Sequence, residues 1–205
     1  GVLLAAVGGF GAFGLLRLNT LASGLYANIT LPIIQLAEIR GTQLGMRLQL
    51  RLMQVQDDPA TLAESMDILR KSSDKLRKTW AGYYPDGVSS DRERAVADKI
   101  NAGLPAFNTA VAQIAENLSA WKSDDAKALL AQNAETFQAL TQLLTEDIEI
   151  NRLQAEASVE QGNHTYRTTL AIDVALIAAG LLIMAVAGVW LLRSILRPLD
   201  RAIHV

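Results

Sequence analysis

Apolar residues crowd the two ends of this chain, and a long insert of mixed pattern lies between them. Gly1–Leu16 carries no charge, and Leu170–Leu192 carries one, Asp173. A helix needs about 20 apolar residues to cross about 30 Å of hydrocarbon. The second run meets that unaided. The first falls short but reads as the cut end of a longer helix. Two spans are therefore predicted, the first over residues 1–16 and truncated at its start, the second over 169–192. The first run also has the length of a signal-peptide core. Against that, no small-residue cleavage region follows, and Arg17-Leu18-Asn19-Thr20-Leu21 continues into helix-compatible sequence.

The insert, residues 17–168, shows no alternating apolar run bounded by turn residues, so no strand is predicted. Its stops divide it into four helices. The first continues from the first span to about Gln56, with Pro32 allowing a bend. Asp58 as N-cap and Pro59 at the first helical position open the second, which runs to about Tyr84 and is broken by Pro85-Asp86-Gly87. Ser90 with Glu93 makes a capping box for the third, which carries Pro105 in its interior, where a kink is expected. Asp124 and Asp125 complement the start of the fourth, which is predicted to run without a break from Ala126 through Leu192. Short loops between such helices give an all-α, antiparallel, up-down-up-down four-helix bundle, here continuous with two transmembrane helices.

Composition narrows the function by exclusion. The net charge is −2, and residues 17–168 hold 16 Lys+Arg against 19 Asp+Glu, so no nucleic-acid footprint is present. The chain has no cysteine, and its two histidines, His164 and His204, are far apart, so neither disulfides nor a zinc site is expected. Acid pairs such as Asp57-Asp58 sit at helix starts, where capping accounts for them. No phosphate loop, metal-spaced pair or nucleophile–base set is present, and no enzyme or cofactor is predicted. Arg193, Arg197 and Arg201 follow the second span closely, which places the C-terminal side in the cytoplasm and the insert outside. Trp190 and Tyr166 suit interfacial anchors at the two edges of that span.

One line of residues on the first helix is a candidate site. At 100° per residue, Ile29, Ile33 and Leu36 form an apolar stripe, and further along Arg40, Arg47 and Arg51 take over the same face within about 40° of one another, with Leu44 between them. Such a face can be solvated, or each arginine can pair with a carboxylate on a neighbouring helix. The third reading is an anion site between helices, because a guanidinium grips a carboxylate bidentately and several in line fit a di- or tricarboxylate. Gly41 and Gly45 form a small-xxx-small pair read as close helix packing. Trp80, Tyr83 and Tyr84 are read as an aromatic cap on the distal core.

The order of elements, closed by ILRPLDRAI, resembles the bacterial methyl-accepting chemotaxis receptors. Arg193–Ile203 looks like the entry into a HAMP module, with Pro198 at that module's usual proline. Leu25–Arg40 is similar to the start of the first sensor helix, and Ile150–Ala157 to the closing helix. In the aspartate-type receptor, arginines on the first helix bind ligand carboxylates across a homodimer interface. Arg47 and Arg51, followed by Leu52-Met53, match that motif's pair. The chain departs from it in having Arg40 where an arginine is expected near Thr42. It departs again on the fourth helix, where Gln132, Asn133 and Thr136 stand in for the family's threonine and carbonyls and Thr136 falls two positions late.

The resemblance implies a multi-pass receptor in the bacterial inner membrane with a periplasmic sensor (residues 17–168) and the start of HAMP (193–205). It implies a small anionic ligand, such as a di- or tricarboxylate or an amino acid. Other implied partners are a second copy of the chain and a cytoplasmic kinase and adaptor. Signalling would pass through Trp190 and Pro198 as the fourth helix shifts along its axis. The same module could feed a histidine kinase or diguanylate cyclase, and the bundle could instead recognise a periplasmic binding protein.

Overall fold

A computed structural model describes residues 16, 19–20, 23–24 and 26–203, without the side chains at 28, 165, 169, 172, 173, 176 and 194–203. The expected first span, residues 1–16, lies outside this set apart from Leu16. The described residues form helices and no strand. After a π-helical turn at Tyr26–Thr30 come α1 (Leu31–Met53), α2 (Pro59–Tyr83), α3 (Asp91–Ser119), α4 (Ser123–Gln132) and α5 (Ala134–Ile203). The chain divides into two units at Ala155/Glu156.

The first unit is the bundle. Its core follows heptad spacing: Leu36, Ile39, Gln43, Met46, Leu50 and Met53 from α1, and Phe137, Leu140, Leu144, Asp147 and Asn151 from α5, are all buried. Alternating steps of three and four keep one stripe of each helix on the shared seam. Cross-helix contacts fix the antiparallel order. Gln49 bonds Ser65 at 2.9 Å and Lys75 pairs with Glu38 at 2.8 Å between α1 and α2. Trp80 bonds Asn101 at 2.9 Å between α2 and α3, and Phe107 meets Phe137 edge-on at 5.2 Å between α3 and α5.

The predicted caps at the first and second junctions form. The Asp58 carboxylate accepts from the Thr61 amide at 2.9 Å, and Ser90 Oγ accepts from the Glu93 amide. Helix α3 ends in a Schellman motif, in which Lys122 N–H reaches Asn117 O at 2.9 Å and Trp121 N–H reaches Leu118 O at 3.1 Å. Trp121 holds the left-handed position at φ 59°, where glycine is usual. At the α2–α3 turn, Gly87 N–H bonds Tyr83 O at 2.6 Å, and a Cβ there would meet that oxygen at 2.7 Å.

Five expectations are corrected. The first helix ends at Met53 rather than Gln56, and a π-helical turn interrupts it before Pro32, which cannot donate a backbone hydrogen bond. The fourth helix is not unbroken, because Asn133 separates α4 from α5. Its side chain donates to Leu129 O at 2.9 Å, competing with the backbone for that carbonyl. The arginines do not take over the packing face. The seam continues past them through Gln43, Met46 and Leu50, and the arginine line lies about 90° away around α1. Gly41 and Gly45 are exposed, with nothing within 4 Å of a Cβ at either, so no helix of this chain packs on them. The aromatic cluster lies at the end where α1 begins, as Gly82 packs against Gln35, and not at the far end.

The second unit, from Glu156, is helical through Ile203, and its described side chains are mostly exposed. Among the described residues no helix is long and apolar enough to cross a membrane. In the expected second span the longest stretch with every side chain described, Ile177–Leu192, is shorter than the length of about 20 residues that a span needs.

Candidate anion-binding groove

Arg47 and Arg51, one helical turn apart on α1, line a groove of about 570 Å³ near the far end of the bundle. Its opposite wall is Leu130 and Ala131 from α4 and Ala134, Phe137 and Gln138 from α5, so the groove spans the break at Asn133. Gln54 closes one side. The volume falls in the usual range for small-molecule sites. Among the described residues no carboxylate lines it.

Arg47 is half-buried and pinned. Its Nη1 donates to Thr141 Oγ1 at 3.2 Å, and its guanidinium sits 5.9 Å from the centre of the Phe137 ring. Thr141 is the anchor of this wall: its hydroxyl donates to Phe137 O at 2.8 Å and accepts from Gln43 Nε2 at 3.0 Å as well as from Arg47. Arg51 is exposed at the mouth. Among the described residues neither arginine forms an ion pair, nor does Arg40, which disposes of pairing with neighbouring carboxylates as the explanation of the line. The groove thus offers two cations, one oriented and one free to swing, beside an apolar floor. It can grip a carboxylate with one end and cover a short carbon chain with the other.

The other expected site residues are placed differently. Arg40 is half-buried toward the base, its Nε has no partner, and it does not line the groove. Gln132 is exposed beside the groove and outside its lining, as are the half-buried Asn133 and Thr136. Asn133 occupies a seam position, four before Phe137, and uses its amide to cap Leu129. Trp190 is 70 % exposed, and the Pro198 side chain lies outside the described residues. Sequence reasoning missed Phe137, Gln138 and Thr141. The signal was present in the heptad frame, which puts Phe137 on the seam and Thr141 one turn on along its flank.

A family model described as a four helix bundle sensory module for signal transduction matches residues 1–166. A Bacillus subtilis (strain 168) protein named as a sensory transducer, YvaQ, is 24% identical over 118 residues, which is 58% of this chain and 21% of that protein. The chain thus spans about a fifth of its relative's length. No solved structure matches.

Proposed function

The chain belongs to the four-helix-bundle sensory modules of signal transduction, and from that premise we propose that it is the sensor region of a chemotaxis-type transmembrane receptor. In this reading it binds a small anionic solute, an organic or amino acid carboxylate, in the groove of Arg47 and Arg51. The observation that carries the proposal is that pair of arginines without ion-pair partners, facing an acid-free groove at a break in the fourth helix. A ligand carboxylate bridging them draws the α4 and α5 walls toward α1. It biases the equilibrium only as far as it binds one arrangement of that break better than the other.

Two features support the membrane and dimer parts of the reading. Leu181, Leu182 and Ile183 point in three directions around α5 and are 59%, 66% and 69% exposed, as for a helix that is apolar all round and needs a non-aqueous neighbour. On α1, Ile34, Leu44, Leu48 and Leu52 are 53%, 41%, 58% and 49% exposed and flank the open Gly41 and Gly45. That stripe lies opposite the core seam and fits a second copy of the chain. The arginine line runs between the two faces, at the rim of both. The module sits in the inner membrane with the bundle in the periplasm. Its output passes along α5 to a HAMP module beginning at residues 193–205 and on to a kinase and adaptor.

Titration calorimetry of the purified chain against di- and tricarboxylates and acidic amino acids tests the site. Binding that falls at least tenfold in both Arg47→Ala and Arg51→Ala is expected. A carboxylate that binds equally well to both variants would remove the groove from the mechanism.

A further inference from the structure

At the base of the bundle, two carboxylates are buried on the seam without a cation. Glu93 of α3 and Asp147 of α5 are both fully buried, and among the described residues no lysine, arginine or histidine pairs with either. The Tyr83 hydroxyl from α2 lies between them, 2.7 Å from Glu93 Oε1 and 3.0 Å from Asp147 Oδ1. Asn151, one turn along α5, donates to Glu93 Oε1 at 2.8 Å and to the Asp147 carbonyl at 3.0 Å, and lies 3.3 Å from Asp147 Oδ1.

The donors are shared unequally. Glu93 Oε2 also accepts from the Ser89 amide at 2.8 Å, the Ser89 hydroxyl at 2.9 Å and Gln154 Nε2 at 3.4 Å. Among the described residues Asp147 has only the tyrosine and the longer asparagine contact from side chains. Tyr83 has one proton, and two buried carboxylates compete for it. A single arrangement satisfies everything: Asp147 carries a proton and donates to Tyr83, and Tyr83 donates to ionised Glu93. Remove that proton and two like charges face each other in a buried seam, with Asp147 losing its bond to Tyr83.

We infer that this cluster is a proton-operated lock on the foot of the fourth helix, which gives the module pH as a second input, distinct from the anion groove at the other end. The inference rests on the sensory-module family and not on the groove.

The electrostatics run the same way. Burial pushes the Asp147 carboxyl up to about 7; the bond from Tyr83 opposes this, while the charges of Glu93 and Glu146 add to it. Burial also works against ionised Glu93, but the bonds from Tyr83, Ser89 and Asn151 outweigh it and hold that carboxyl below its ordinary value. The groups facing Asp147 are Tyr83 from α2, Glu93 from α3, and Glu146 and Asn151 from its own helix. Helix α1 contributes no group that bonds to it. A carboxyl whose folded pKa is raised stabilises the fold below its unfolded pKa. That contribution falls away as pH rises through the folded value, here between about 3.8 and about 7.

The experiment is a pH series from 4.5 to 8.5 on the whole chain in mild detergent, following melting temperature and amide exchange of residues 144–154 corrected for intrinsic rate. Wild type should melt progressively lower and exchange faster as pH rises to about 7, and level off above it. Asp147→Asn, which keeps the shape and the donor to Tyr83, should be flat over the same range. Glu93→Gln should move the levelling-off to lower pH by removing the facing charge. A pH profile shared by wild type and Asp147→Asn would overturn the lock. So would a carbon-13 carboxyl titration of Asp147, read in wild type, with its midpoint below 5.

Discussion

Tyr83→Phe removes one oxygen and leaves the ring, which makes it the cleanest probe of the base cluster. The ring keeps its seat in the core and its contact with Trp80 at 5.4 Å, so the change in packing is small. What is lost is the shortest bond to buried, ionised Glu93 and the better bond of Asp147. A hydrogen bond to a charged group contributes about 1.5–3 kcal/mol, and a neutral one about 1 kcal/mol. Tyr83, Glu93 and Asp147 are all fully buried, so the loss is not offset at the surface. A loss of about 3 kcal/mol follows, which lowers the melting temperature by roughly 10 °C in a domain of this size. Urea unfolding followed by circular dichroism at pH 6 reads it, with the m-value unchanged because the surface exposed on unfolding is the same. Tyr84→Phe is the control. Its hydroxyl bonds Asp98 at 2.8 Å in an exposed setting, and its removal should change little. A Tyr83→Phe loss below about 1 kcal/mol, or equal losses in both variants, would refute the reasoning.

Other substitutions test the frame. Trp121→Gly should stabilise the bundle by about 1 kcal/mol, read as a higher urea midpoint, because glycine adopts the left-handed Schellman position without the Cβ penalty. Gly87→Ala should destabilise by about 1–3 kcal/mol in the same assay, since its Cβ would lie 2.7 Å from the carbonyl oxygen of Tyr83. Phe107→Ala, which empties a fully buried site against Phe137, should cost about 3–5 kcal/mol by calorimetric melting. Lowering the pH far enough to protonate Glu93 should destabilise the fold. Its depressed pKa gives stability above the unfolded value that is lost as pH falls through the folded one, and Glu93→Gln should soften that acid limb.

The helices were legible because their boundaries carry local chemistry. Asp58, Pro59, Ser90 and Asp124 act within one turn of themselves, so the chain announces those junctions. The break at Asn133 was hidden for the opposite reason. The seam frame of Ala126, Leu130, Asn133 and Phe137 steps through it without a slip, so apolar periodicity gives no sign that the backbone bonding has lapsed. The arginine line was visible but assigned to the wrong face, because Leu36 lies at the edge of the seam and draws the projected stripe toward it. Arg47 and Arg51 do share a groove, yet the residues opposite them depend on how two distant helices are phased. Glu93 shows the same limit. Its neighbours explain it fully as a capping residue, while the partners that give it a buried charge are Tyr83, Asp147 and Asn151 on other helices.

The position of the groove has a consequence for how freely its chemistry can drift. Arg51, Gln54, Ala131, Ala134 and Gln138 are all exposed, and the seam residues behind them are a separate set. Surface exchanges of this kind usually shift stability by less than about 0.5 kcal/mol. Under the proposed function, a lineage can therefore retune which solute it recognises at these exposed positions without reopening the question of how the bundle folds, and without touching the polar cluster at its other end. Leu50 and Phe137, which also line the groove, belong to the core and fix its floor while the exposed positions around them are free to change.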